Sequence, residues 1–146
     1  MKQSHLSSDD LGVEKMELSL DFIAGLIVGE GTFYWTKIAY GYKRPVFALR
    51  MHVRDFDLVA NVRDSLGVTR EKVYEYTHNN RHYAFLIVRD IDDIKDIIIP
   101  SLWPRLTGYK KEQFKEWFHI FGSADAHPQF RFIYDVFKTK FPELYQ

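Results

Sequence analysis

Phe22 to Gly31 reads FIAGLIVGEG, an apolar run dense in small residues that ends in a single carboxylate held between two glycines. The run from Ile23 to Val28 is far too short to span a bilayer, and it follows Ser19 and Asp21, residue types that cap helix N-termini. The pattern predicts a buried helix over Leu18–Gly29. On that helix Gly25 and Gly29 fall one turn apart on one face, with Ala24 beside Gly25, so a second helix backbone can approach unusually closely. Glycine costs helix stability, and tight packing is the compensating gain. Thr32 to Trp35, TFYW, is rich in β-formers and predicts a strand. Glu30 therefore sits where a packed helix ends and a strand begins.

Working outward, Thr32–Tyr40 reads as strand and Gly41–Pro45 as a turn. Val46–Val53 is a second strand, in which Phe47, Leu49, Met51 and Val53 alternate with Ala48, Arg50, His52 and Arg54. Alternation puts the apolar set against the core and the basic set on the opposite face. Asp55 or Asp57 can then cap a helix carrying Leu58, Val59, Val62 and Leu66 and ending at Gly67. Lys72–Thr77 and His82–Val88 form a hairpin about Asn79 and Asn80. A short helix with Ile94, Ile97 and Ile98 follows, capped by Asp92 and stopped by Pro100. Phe114, Trp117, Phe118 and Phe121 mark a helix over Lys111–Phe121, and Pro128 opens a last helix with Phe130, Ile133 and Phe137. Residues 1–17 read as a polar lead-in and 18–146 as one domain. The segment Gly122–His127, GSADAH, lacks an apolar helix before Asp125 and reads as a loop and cap, so the motif occurs once.

The frame from Ile23 to Gly31 resembles, position by position, the nine-residue motif of the LAGLIDADG homing endonucleases. The resemblance implies an α+β fold, αββαββα, whose four-stranded antiparallel sheet forms a DNA-binding saddle, here with an added C-terminal helix. The periodicity above reaches that element order independently. The resemblance also implies that motif helices of two subunits, or of two halves of one chain, pack through their small residues, placing Ala24, Gly25, Val28 and Gly29 at a dimer interface. Val28 stands where many members carry an acid, so a polar role is absent there. By the same resemblance Glu30 is the catalytic metal ligand, assisted by the Gly29 carbonyl, and the cofactor is magnesium, Mg²⁺, with Mn²⁺ able to substitute. One motif per chain implies a homodimer acting on a pseudo-palindromic double-stranded DNA target. A non-cleaving intron RNA-splicing maturase, or another nucleic-acid-binding protein on the same fold, is the alternative.

Phosphodiester hydrolysis needs an activated water and stabilised charge on the attacking and leaving oxygens, which a divalent metal supplies. Carboxylates and carbonyls suit Mg²⁺, whereas zinc would call for His or Cys at ligand spacing; the chain has no Cys, and none of its six His forms such a cluster. Leu106–Phe114, LTGYKKEQF, resembles the place from which a lysine of the family reaches the active site. Lys110 is the expected residue and Lys111 the alternative, because Phe114 anchors the helix without deciding which lysine turns inward. Many members also use a Gln or basic residue at the end of the second strand. Val53 falls about there in this chain, leaving His52 or Arg54 as substitutes.

The 146 residues carry no net charge, yet Thr32–Arg89 holds ten Lys and Arg against five acids, a net of +5 that leaves −5 elsewhere. A basic middle between acidic ends suggests one face that meets phosphates. The expected DNA contacts are Tyr34 and Thr36, then Arg50, His52 and Arg54, then Lys72, Tyr74 and Tyr76, then Arg81; two-stranded ribbons fit the major groove. The first twenty residues show no signal peptide and no stretch is apolar for long enough to span a bilayer, so the expected location is intracellular, with no membrane partner. At 46% apolar content the length suits one domain with a sizeable core.

Overall fold

Ser19 caps the motif helix, its Oγ accepting the Phe22 amide at 3.1 Å. In the computed structural model, which describes residues 2–6 and 15–146, that helix is α1 (Leu20–Glu30). Glu30 is its last residue, and the chain turns directly into β2 (Gly31–Lys37). The turn is tight. The Gly31 amide donates to the Ile27 carbonyl, and a Cβ on Gly31 would lie 2.5 Å from Ile27 Cγ2 and 3.0 Å from Ile27 O. Gly31→Ala is therefore expected to cost about 1–3 kcal/mol by overpacking, read as a lower denaturation midpoint. An unchanged midpoint would mean that Ile27 can swing clear.

β2 pairs antiparallel with β3 (Lys43–His52), from Gly31 opposite Leu49 to Lys37 opposite Lys43. The connection is a 3₁₀ turn, Ala39–Gly41, in which Tyr40 and Gly41 have positive φ. Strand β2 thus stops before the expected Tyr40, and β3 starts earlier than expected and takes in Pro45. Proline is tolerated there because pairing of β3 with the next strand inward begins only at Phe47. After a 3₁₀ turn at Val53–Asp55, α2 (Phe56–Leu66) ends on Gly67, whose φ of 95° makes the left-handed cap. The hairpin β4 (Val73–His78) and β5 (Arg81–Val88) closes on Asn79 and Asn80, both at positive φ as a two-residue hairpin turn requires.

The four strands form one antiparallel sheet in the order β4, β5, β3, β2, as the expected fold class requires. A fifth strand, β1 (Lys2–Leu6), pairs antiparallel with β4 at the far edge. This corrects part of the polar lead-in: KQSHL has almost no apolar signal, but edge pairing is made by main-chain groups and needs none. The rest of that expectation, residues 7–14, lies outside the described residues. From Met16 the chain is tied to α2, with the Met16 amide donating to Asn61 Oδ1 and the Leu18 amide to Ser65 Oγ, each at 2.9 Å.

Helix α3 (Ile91–Asp93) is capped by Asp90 rather than Asp92, Oδ1 of Asp90 accepting the Asp93 amide and an Arg70 guanidinium N–H. Pro100 does not stop the helix. The turns widen to a π segment at Ile94–Ile98 and continue as α4 (Ile99–Leu102), an arrangement that absorbs the missing proline N–H. Helix α5 (Gly108–His119) follows, and the last helix is broken into α6 (Pro128–Arg131) and α7 (Ile133–Val136), with a 3₁₀ turn at Pro142–Tyr145. The 122–127 segment ends as the expected cap: His127 caps α6, its Nδ1 accepting the Gln129 amide at 3.2 Å.

α1, α2 and α5 all pack on one face of the sheet, where Ile23, Ile27, Phe47, Leu49, Val59, Leu86 and Phe114 share one core. Among the described residues the opposite face carries no helix. Among the described residues no helix is long and apolar enough to cross a membrane.

Candidate nucleic-acid interface and active site

Residues directly opposite in an antiparallel sheet share a face, so the register assigns the side chains of the helix-free face. Thr32, Tyr34 and Thr36 lie there on β2, Ala48, Arg50 and His52 on β3, Tyr83 and Phe85 on β5, and Tyr74 and Tyr76 on β4. Arg81, opposite His78, joins them. Of the expected DNA contacts, Tyr34, Thr36, Arg50, His52, Tyr74, Tyr76 and Arg81 therefore share one surface. Two do not belong to its strands. Arg54 sits in the 3₁₀ turn after β3, and Lys72 precedes β4; both are exposed. His52 is exposed as well, but its Nδ1 accepts the Arg54 amide at 3.1 Å, so that nitrogen serves as a local cap.

At the α1–β2 junction, one end of this face deepens into a cavity of about 490 Å³ lined by Gly29, Glu30, Gly31, Thr32, Tyr34, Ala48, Arg50, Phe85 and Lys110. Two cations and one carboxylate thus converge on one open recess. Lys110 reaches it from α5, its Nζ donating to the Gly31 carbonyl at 2.5 Å. The junction is clamped from both sides, by the Gly31 amide on Ile27 and by Lys110 on the Gly31 carbonyl. α5 is itself latched to β2: Trp117 Nε1 donates to the Tyr34 carbonyl and Trp35 Nε1 to the Trp117 carbonyl, both at 3.0 Å. Phe114, Trp117, Phe118 and Phe121 are all buried, as their helical spacing predicts.

Lys111 turns the other way. Its Nζ lies 4.8 Å from the centre of the Trp103 ring, whose Nε1 donates to Glu143 Oε1 at 3.1 Å. Adjacent helix residues point about 100° apart, and Trp103 decides which of the two faces away. The basic residue that reaches the cavity from β3 is Arg50, not His52 or Arg54. Its guanidinium carbon lies 4.6 Å from the Tyr83 ring centre, which fixes its orientation. Ala48 and Phe85 were absent from the expected site; β3 alternation could have flagged Ala48, but Phe85 enters only through its register opposite Arg50.

Among the described residues no group of three or more His, Cys, Asp or Glu could hold a metal ion. What one chain offers is the Glu30 carboxylate beside the Gly29 backbone, an all-oxygen donor set that fits a hard divalent cation and is incomplete by itself.

From Phe22 to Gly29 α1 is apolar on every side, and the structure sorts its faces. Ile23, Ala24 and Ile27 are buried, whereas Phe22, Gly25 and Gly29 are exposed and Leu26 and Val28 half-buried. Ala24, expected at a dimer interface, is only 1% exposed and packs in the chain's own core. Gly25 and Gly29 remain on the outer face, where an added Cβ on either meets nothing within 4 Å.

No protein-family model matches the sequence, and no curated protein is similar enough to match it. Solved structures do match. The homing endonuclease I-TnaI superposes with a TM-score of 0.60 at 24% identity over 72% of each chain. The LAGLIDADG homing endonuclease I-LtrWI, solved bound to target DNA, superposes at 0.61 and 22% identity over 87% of this chain and 39% of its own. The LAGLIDADG meganuclease I-AabMI, solved bound to uncleaved DNA, gives 0.61 and 19% over 86% of this chain and 50% of its own. The chain thus spans half or less of the length of the last two. The order of elements, the single antiparallel sheet with helices on one face and the position of the FIAGLIVGEG helix together give this chain the LAGLIDADG homing endonuclease fold.

Proposed function

We propose that the chain is one half of a homodimeric, metal-dependent, site-specific double-strand DNA endonuclease. The observation that carries this reading is the convergence of Glu30, Lys110 and Arg50 on one recess at the junction of the exposed Gly25/Gly29 helix face with the helix-free sheet face. Two features support the pairing of chains. The one carboxylate lining the recess is too few for a metal centre, and the chain matches half or less of longer DNA-bound endonucleases, as half of a two-part site would.

Glu30 and the Gly29 carbonyl would hold Mg²⁺, or Mn²⁺ in its place, which when bound activates water and neutralises charge on the phosphate. Arg50, held by Tyr83, grips a phosphate oxygen at the mouth of the recess. Lys110, fixed against the Gly31 carbonyl, supplies positive charge beside Glu30 where negative charge builds on the reacting oxygens. Two such recesses, one from each copy, address the two strands of a pseudo-palindromic target.

Incubating the pure protein with a plasmid library and Mg²⁺, then sequencing the cut ends, tests this directly; one recurrent double-strand cut site is expected, and no cutting with either metal overturns it. The lysine pair gives a finer test by single-turnover cleavage. Lys110→Ala should slow the reaction about 10²–10³-fold, the usual loss on removing one charge-stabilising donor. Lys111→Ala should leave the rate within a few-fold and remove about 0.5–1 kcal/mol of cation–π stabilisation. A reversed ranking would move the catalytic cation to Lys111.

A further inference from the structure

The helix-free face carries more aromatic surface than phosphate contact requires. Tyr74 lies opposite Phe85 and Tyr76 opposite Tyr83, making a two-by-two block of half-buried rings at its centre. Their mutual geometry restricts what they can recognise. The Arg50 guanidinium covers the Tyr83 ring face at 4.6 Å. Tyr76 lies nearly parallel to His78, with centroids 6.1 Å apart at 12°, and Phe85 meets Tyr76 edge-on at 5.9 Å and 90°. Arg50 thus covers one face of the Tyr83 ring, and the perpendicular pairing of Tyr76 with Phe85 keeps those two rings from lying as parallel faces. A platform for stacking unpaired bases needs those faces open.

Half-buried rings held by such contacts offer C–H edges and phenolic hydroxyls instead. In the major groove the apolar group available to such edges is the C5-methyl of thymine, and a two-stranded ribbon such as β4–β5 fits that groove. Arg50 and Arg81 flank the block and supply the charge that holds a duplex against it. Resting on the DNA reading above, we infer that Tyr76, Tyr83 and Phe85 are specificity-determining residues that recognise thymine by its methyl group, so that each half-site requires thymine at one or two positions beneath the block.

Deoxyuridine tests this, because it keeps the pairing and every hydrogen-bonding group of thymine and lacks only the methyl. The binding site is first selected from a random duplex library with the wild-type protein. Affinity is then measured on duplexes carrying one thymine-to-deoxyuridine change at a time. The expected result is thymine at one or two positions per half-site, with deoxyuridine there weakening binding about fourfold per methyl, the equivalent of one apolar carbon left uncovered, and no effect elsewhere. In Tyr76→Ser protein one of those effects should vanish. Equal affinity for thymine and deoxyuridine at every position overturns the inference and leaves the DNA reading standing. Failure to bind any duplex overturns both, and tighter binding to single strands than to duplex overturns the inference in favour of stacking.

Discussion

Replacing Glu30 by glutamine is expected to reduce cleavage by about 10³-fold or more while leaving DNA binding intact. The amide keeps size and hydrogen-bonding capacity but loses the charge that recruits a hard cation, and metal assistance is worth several kcal/mol of barrier. The position of Glu30 makes the experiment clean. It is exposed, and it is the last residue of α1, where the helix dipole presents its negative end. A carboxylate there works against helix stability, so Glu30→Gln should fold as well as the wild type or slightly better. Binding should even tighten, because two neutral side chains no longer repel the phosphates or each other. Single-turnover cleavage and a binding titration on one target read both arms. Wild-type cutting by Glu30→Gln would place the chemistry elsewhere. If the wild type binds a specific site yet never cuts with Mg²⁺ or Mn²⁺, a maturase-like role on the same fold replaces the nuclease.

The conflict at Glu30 also explains why this corner of the recess was legible in the sequence. An acid closing a glycine-rich apolar helix violates local preference, and such violations mark function. The strand and helix order, the Asn79–Asn80 hairpin and the Gly67 cap were legible for the same reason, since each is written in local residue chemistry. What sequence left open depends on tertiary partners. Lys110 and Lys111 are chemically identical neighbours, and a ring eight residues before Lys111 sorts them. Phe85 belongs to the recess only because β5 pairs with β3 in a register that sets it opposite Arg50. Ala24 lies in the chain's own core rather than on the outer face, because a helix apolar on every side from Phe22 to Gly29 carries no periodic signal to separate its own core from a partner's. Arg54 followed the alternation of β3 past the point where the strand gives way to a 3₁₀ turn.

Gly25→Leu is expected to convert a dimer at micromolar concentration into a monomer without unfolding the chain. Within one chain a side chain at Gly25 is harmless, since an added Cβ meets nothing within 4 Å and leucine favours the helix over glycine by somewhat less than about 1 kcal/mol. Against a second copy the same side chain stands in the way. Helix axes usually lie about 8–10 Å apart, and glycine at the crossing allows a closer approach that leucine forbids. Phe22, 49% exposed, and half-buried Leu26 lie on the Gly25 face and supply the apolar surface for the partner to cover. Gly25→Gln repeats the test with a polar side chain, so that a merely stickier surface is not mistaken for assembly. Sedimentation should give a wild-type dimer and two monomeric variants with unchanged helical content. Both variants should then lose double-strand cutting although each chain keeps Glu30, Lys110 and Arg50, because the second carboxylate no longer arrives. A wild-type chain that stays monomeric even on DNA would sink the shared site, and a monomer that cuts both strands would require all the metal ligands to lie within one chain.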